Sequence, residues 1–118
     1  SRPRNFTEVL ESFPNLTLIM AHLGNGFCDE AISMARTYPN LQFDCSAIIN
    51  PAQTGEGLND ADLTALIKEI GVQRVMFGSD FPWFEPALGI KRLLRLDFSE
   101  LEKGLLLGEN AIRIYKLN

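Results

Sequence analysis

The stretch Phe77-Gly78-Ser79-Asp80-Phe81-Pro82-Trp83 follows an apolar run at residues 72–76. This order predicts a buried strand that opens into a turn carrying a carboxylate. Gly78 and Ser79 leave room beside the backbone, and Pro82 keeps the residue before it out of helical geometry. The Asp80 carboxylate at such a strand exit could bind a metal or accept a proton. The alternative is an ordinary exit turn in which Asp80 caps the next helix.

Helix-like and strand-like segments alternate along the rest of the chain. Apolar spacing and capping residues predict helices at residues 5–13, 27–38, 59–70, 86–96, 99–107 and 111–117. The expected N-terminal caps are Asn5, Asn59 or Asp60, and Ser99 with Glu102, and Gly108 is expected to end the fifth helix. The fourth helix is expected to have an apolar side and a basic side, from Leu88, Lys91, Arg92 and Arg95. Apolar or alternating runs predict strands at residues 16–21, 41–47 and 72–76. Strands separated by helices form parallel sheets with right-handed crossovers, so the predicted fold class is α/β, with a helical tail after the last strand.

Each predicted strand ends in polar residues. His22, the one histidine of the chain, follows the first strand, Asp44 and Ser46 lie on the polar face of the second, and Asp80 follows the third. Parallel strands end at a common edge of the sheet, so we expect these groups to be neighbours. An imidazole and a carboxylate there could share a metal or act as an acid–base pair, although a lone histidine is often structural. Asp44 and Ser46 could also line a site, but we expect them to form hydrogen bonds to neighbouring backbone.

Residues 49–58 are predicted to form a loop after the second strand, where α/β folds place substrate-handling loops. Gln53 and Glu56 are its candidate substrate contacts. A flavodoxin-like or Rossmann-like binding domain is disfavoured, because no Gly-x-Gly-x-x-Gly or phosphate-cradling loop follows any predicted strand.

The composition argues against several classes of protein. The net charge is -4 and the eleven basic residues are scattered, which argues against a nucleic-acid surface. No apolar run reaches the length of a membrane span, and the first residues resemble no targeting peptide. Cys28 and Cys45 lack the spacing of a disulfide framework or a zinc knuckle, and predict buried thiols in a reducing compartment. We therefore expect a cytoplasmic protein that binds neither nucleic acid nor membrane.

Four motifs, in this order, resemble the C-terminal half of the amidohydrolase-related enzymes. They are Phe13-Pro14-Asn15-Leu16 leading to Ala21-His22-Leu23-Gly24, Tyr38-Pro39-Asn40-Leu41-Gln42-Phe43-Asp44, Val75-Met76-Phe77-Gly78-Ser79-Asp80-Phe81-Pro82-Trp83, and Leu107-Gly108-Glu109-Asn110-Ala111. That family consists of metal-dependent (β/α)₈ barrels and includes lactonases and decarboxylases. The resemblance implies that residues 1–118 are the C-terminal portion of a TIM-barrel domain, with the sixth, seventh and eighth barrel strands.

The resemblance also implies roles for two residues. Asp80 would ligate a divalent metal and receive the proton of the attacking water. His22 would contact substrate or the metal-bound water, or bind a second metal. Zn²⁺ is the first expectation for the ion and Mn²⁺ the second, since either lowers the pKa of bound water. The implied substrate is a small amide, ester or lactone, with hydrolysis favoured over nonoxidative decarboxylation.

The chain departs from the family pattern in its histidines. The amino-terminal His-x-His pair and the histidine after the fifth strand have no counterpart, and two remaining ligands are too few for a catalytic zinc site. A full barrel takes about 250 residues. We therefore expect this chain to be inactive alone, its open sheet edges covered by the missing N-terminal half of the barrel or by a homo-oligomer. The alternative is a non-catalytic remnant that acts as a structural or interaction module.

Overall fold

Three parallel strands form the central sheet. The computed structural model describes residues 2–51 and 57–117, and its strands are β1 (Leu18–Met20), β2 (Leu41–Asp44) and β3 (Val75–Met76). β2 lies in the middle, with Leu18 opposite Leu41 and Phe43 opposite Val75. The predicted α/β class with a parallel sheet is confirmed, while the numbering of the strands within a barrel stays a prediction.

Helices connect the strands and continue after β3. The α-helices are α1 (Thr7–Ser12), α2 (Cys28–Thr37), α3 (Asp60–Ile70), α4 (Pro86–Arg95), α5 (Glu100–Gly104) and α6 (Asn110–Ile114). Short 3₁₀ turns occupy Pro3–Phe6, Ala21–Gly24 and Val72–Arg74, and a π-helical turn occupies Leu105–Glu109. Predicted caps are confirmed at two helices. Asn59 accepts a hydrogen bond from the Asp62 N–H at the start of α3, and Ser99 forms a reciprocal capping box with Glu102.

The strands are shorter than predicted, for local reasons. β2 ends at Asp44, not at Ala47, whose left-handed backbone (φ 59°) cannot continue a strand. Before β3, residues 72–74 form a 3₁₀ turn closed by the Arg74 N–H on the Gly71 carbonyl. The Arg74 guanidinium also donates to the carbonyls of Tyr38 and Leu41, which holds this turn against β2.

Two helix predictions were wrong in detail. Asn5 does not cap the first helix, because it lies inside the opening 3₁₀ turn. Gly108 does not end a helix, because its φ lies outside the left-handed region that a terminating glycine adopts. The chain therefore stays helical from α5 through the π-helical turn into α6.

One face of the sheet packs against α2 and α3. Leu41, Phe43 and Val75 are fully buried on that face. Their partners in the core are Ala31, Met34 and Ala35 of α2 and Leu63, Leu66, Ile67 and Ile70 of α3. Cys45 joins this core, and burial raises the pKa of its thiol to about 12. Both cysteines are free, as predicted, with Cys28 only half-buried.

The two edges of the sheet differ. Outside β3, the Asn110 side-chain amide donates to the carbonyls of Val72 (2.7 Å) and Val75 (2.8 Å), and the Phe77 N–H donates to the Leu106 carbonyl. The C-terminal helices thus cover the β3 edge. Among the described residues β1 pairs only with β2, so its outer edge carries no strand. None of the described helices combines the length and the apolar character that crossing a bilayer requires.

Candidate active site

Each strand is followed by a residue with left-handed backbone. These residues are His22 after β1 (φ 58°), Ala47 after β2 (φ 59°) and Asp80 after β3 (φ 67°). Residues other than glycine rarely adopt this conformation, because Cβ crowds the backbone, and each instance costs about 1–3 kcal/mol. The strands are parallel, so the three positions follow the same end of the sheet. Strain concentrated in this way is typical of functional sites, and two of the three residues are the predicted site residues.

His22 is held by the end of β2. Its Nδ1 lies 2.9 Å from the Ser46 carbonyl oxygen and 2.9 Å from Ser46 Oγ. Its backbone N–H donates to Asp44 Oδ1 at 3.1 Å. Among the described residues no hydrogen bond involves Nε2 of His22.

Asp44 organises this corner of the sheet. Its Oδ1 accepts hydrogen bonds from the backbone N–H of His22 and of Ser46 (3.0 Å), and from the Ser46 hydroxyl. The expectation that Asp44 bonds to neighbouring backbone is confirmed. The contact between Ser46 and the imidazole was not predicted, and the Asp-x-Ser spacing at a strand end was its only signal in the sequence.

Ser46 also contacts the exit of β3. A Cβ placed on Gly78 would lie 3.0 Å from the Ser46 Cβ, which is tighter than ordinary Cβ contacts, so the glycine lets the two strand exits pack together without displacing Ser46. Two residues further on, Asp80 begins a tight turn in which its carbonyl accepts the Trp83 N–H. The helix that follows has Glu85 at its N-cap without a side-chain cap bond, so the alternative role of Asp80 as a helix cap is wrong.

The structure brings His22, Asp44 and Ser46 into direct contact, and Asp80 to the same edge. No hydrogen bond or ion pair between described residues joins Asp80 to His22. His22 lines a cavity of about 240 Å³ together with Ile48 and Leu58, at the two ends of the predicted substrate loop, and Asp80 is not among the residues that line it. The loop contacts predicted at Gln53 and Glu56 lie outside the described residues.

Arg92 is buried, although helical spacing predicts that it lies on the basic side of α4. It is 6% exposed, and its guanidinium donates to the carbonyls of Ile48 (3.1 Å) and Leu58 (2.7 Å) and to Asp60 Oδ1 (2.9 Å). Arg92 therefore ties together the two flanks of the loop after β2. Helical spacing does not distinguish it from its exposed neighbour Lys91.

The donor types for a metal are present only in part. The Nε2 of His22 and the carboxylate of Asp80 are groups that divalent ions bind. The described residues contain no group of three His, Cys, Asp or Glu side chains that could hold an ion, whereas catalytic zinc ordinarily takes three protein ligands. The described part of the chain therefore does not form a complete metal site by itself.

Several solved structures share this fold, whereas no curated protein sequence matches the chain significantly. An amidohydrolase from Burkholderia multivorans with bound HEPES aligns with a TM-score of 0.71 at 21% identity, over 99% of this chain and 51% of that chain. A Burkholderia multivorans amidohydrolase structure with bound zinc aligns with a TM-score of 0.69 at 22% identity, also over 99% of this chain and 51% of that chain. A dihydroxybenzoic acid decarboxylase from Polaromonas sp. JS666 was solved with manganese and the inhibitor 2-nitroresorcinol. It aligns with a TM-score of 0.73 at 18% identity, over 93% of this chain and 36% of that chain.

These identities are low, so the likeness to solved structures shows a shared fold alone. The chain spans between about a third and a half of the length of these proteins. The family assignment comes instead from a sequence model described as Amidohydrolase, which matches residues 1–117. On that match over nearly its whole length, the chain belongs to the amidohydrolase family.

Proposed function

We propose that residues 1–118 are the C-terminal portion of a metal-dependent hydrolase that acts on a small amide, ester or lactone. In this proposal β1, β2 and β3 are the sixth, seventh and eighth strands of a TIM barrel. The observation that carries it is the pair His22 and Asp80, each on a strained turn at the same end of a parallel sheet in an amidohydrolase-family chain. The free thiols of Cys28 and Cys45 support a reducing compartment, which we take to be the cytoplasm.

A divalent ion fits the proposal if residues outside this chain complete its ligands. Bound zinc and bound manganese in two of the structures with this fold support an ion of this class, and Zn²⁺ is our first choice. The Asp80 carboxylate would be the donor from this chain to that ion, and His22 Nε2 would be a donor only where a second ion binds. When bound, such an ion supplies hydroxide at neutral pH and polarises a carbonyl group.

The residues of this chain would then handle the proton and orient the reactants. Asp80, half-buried on its turn, would accept the proton of the attacking water. His22 can accept a hydrogen bond at Nε2, and so orient that water, because its Nδ1 is already engaged by Ser46.

The test uses the full-length protein that contains this chain and compares Asp80→Asn, His22→Ala and the control Asp97→Asn, whose carboxylate lies exposed between α4 and α5. We expect Asp80→Asn to abolish turnover and to weaken metal binding. His22→Ala should lower turnover by about 10²–10⁴-fold with most of the metal retained. Asp97→Asn should match the unmodified protein. The measurements are metal content by mass spectrometry and hydrolysis of a panel of lactones, esters and amides. Full turnover in both site variants would refute the assignment.

Nonoxidative decarboxylation is the second candidate. The structures with this fold include decarboxylases that act on dihydroxybenzoic acid and on 5-carboxyvanillate. Release of CO₂ from an aromatic carboxylate, without hydrolysis of any ester or lactone in the panel, would select this candidate. Absence of stoichiometric metal together with self-association in light scattering would instead favour a non-catalytic module.

A further inference from the structure

The contacts of His22 define which ring nitrogen carries the proton. A carbonyl oxygen only accepts hydrogen bonds, so the 2.9 Å contact with the Ser46 carbonyl requires a proton on Nδ1. The Ser46 hydroxyl, also 2.9 Å from Nδ1, is consistent with this assignment because it gives its own proton to Asp44. In the neutral imidazole the lone pair is then on Nε2.

The left-handed backbone of His22 is stabilised by a hydrogen bond to another strand. His22 (φ 58°) and Leu23 (φ 49°) are consecutive left-handed residues without the freedom of glycine. Asp44 Oδ1 accepts the His22 N–H and also fixes Ser46 through its N–H and its hydroxyl. A single carboxylate oxygen therefore supports both the turn that carries the histidine and the residue that bonds to its ring.

We infer that Asp44 is a positioning residue for His22. It holds the histidine in its left-handed turn with the proton on Nδ1, so that the lone pair of Nε2 is the one offered to a ligand. The use of that lone pair in catalysis rests on the proposed function, whereas the arrangement itself does not. Asp44 needs no contact with substrate or metal for this role.

The experiment is long-range ¹H–¹⁵N correlation NMR of the histidine side chain, recorded at about pH 8.5, where imidazole groups are neutral. Divalent metal is removed with a chelator beforehand, so that an ion on Nε2 cannot set the tautomer instead. The signal of His22 is identified by its loss in His22→Gln. The comparison variants are Asp44→Ala, the isosteric Asp44→Asn, which keeps an acceptor oxygen, and the control Asp97→Ala.

We expect His22 to be protonated on Nδ1 in the unmodified protein, in Asp44→Asn and in Asp97→Ala. In Asp44→Ala the ratio of the Nδ1–H to the Nε2–H tautomer should fall about tenfold, equivalent to about 1.4 kcal/mol. If Asp44→Ala does not fold by circular dichroism, Asp44→Glu replaces it with the same expected fall, because the added methylene displaces the acceptor.

A proton on Nε2 in the unmodified protein would overturn the inference. An unchanged ratio in the folded Asp44→Ala or Asp44→Glu variant would overturn it as well. The NMR spectrum reports on positioning alone and turnover reports on the proposed function alone, so a failure of one is distinguished from a failure of the other.

Discussion

Gly78→Ala tests the close contact between the exits of β2 and β3. The added Cβ would lie 3.0 Å from the Ser46 Cβ and 3.7 Å from the Ser46 Cα. Carbon atoms normally stay about 3.5–4.0 Å apart, so Ser46 would have to move by about 0.5 Å. It cannot do so freely, because its N–H and hydroxyl bond to Asp44 and its carbonyl bonds to His22. Overpacking of this kind costs about 1–3 kcal/mol, and we expect the free energy of unfolding to fall by that amount.

Gly108→Ala is the matched control. Like Gly78, Gly108 has a φ outside the left-handed region. It lies in the π-helical turn of the C-terminal tail, where a Cβ would meet no atom within 4 Å. Because alanine favours helix, this variant should raise the free energy of unfolding by about 0.5–1 kcal/mol. Both variants are measured by urea denaturation followed by far-UV circular dichroism, with the slope m expected to stay unchanged.

The same experiment identifies Ser46 as the residue in contact. On a Ser46→Gly background, which removes the Cβ that Gly78→Ala would meet, the second substitution should cost much less than it does alone. A free energy of unfolding for Gly78→Ala within about 0.5 kcal/mol of the unmodified protein would refute the packing argument. A full cost that persists in the double variant would show that the strain lies elsewhere.

Two further predictions concern buried or charged groups away from the site. Asn110→Asp replaces the amide that donates to two buried carbonyls with a carboxylate, and should lower the free energy of unfolding in urea by about 2–5 kcal/mol; a loss below about 1 kcal/mol would contradict the importance of these two bonds. Hydrogen bonds from Arg95 and Arg92 lower the pKa of Asp60 in the folded state, so its stabilising effect is present above its unfolded pKa of about 3.9 and is lost as acidification proceeds through the lower folded value. Asp60→Asn should therefore lower stability at neutral pH and flatten the fall in stability below about pH 5, and an unchanged pH profile from thermal unfolding would contradict this.

The sequence predicted the features that depend on local chemistry. Asn59 and Ser99 cap helices as expected, and β2 presents alternate faces to the core and to the polar side. His22 and Asp80 were placed correctly at the ends of strands, because parallel topology aligns those ends. These predictions needed only neighbouring residues or the order of the elements.

The features that were missed depend on partners far apart in the chain. The bond from Arg92 to Ile48 spans 44 residues, and the contact of Ser46 with His22 spans 24. No local pattern separates Arg92 from an exposed arginine. The left-handed turn at His22 is equally hidden, since its cost is offset by a carboxylate on another strand. Long-range hydrogen bonds of this kind can be identified only once the folded structure is known.

The two hydrogen bonds from the Asn110 amide can form only late in synthesis of the chain. Synthesis proceeds from the N-terminus, so β3 leaves the ribosome before Asn110, which follows Val75 by 35 residues. Until that side chain arrives, the Val72 and Val75 carbonyls on the outer side of β3 have no protein donor from the tail. A nascent chain at this stage presents an outer side of β3 that lacks these two bonds, the kind of surface that pairs with other unfinished chains. This exposure of the β3 edge therefore ends when α6 docks.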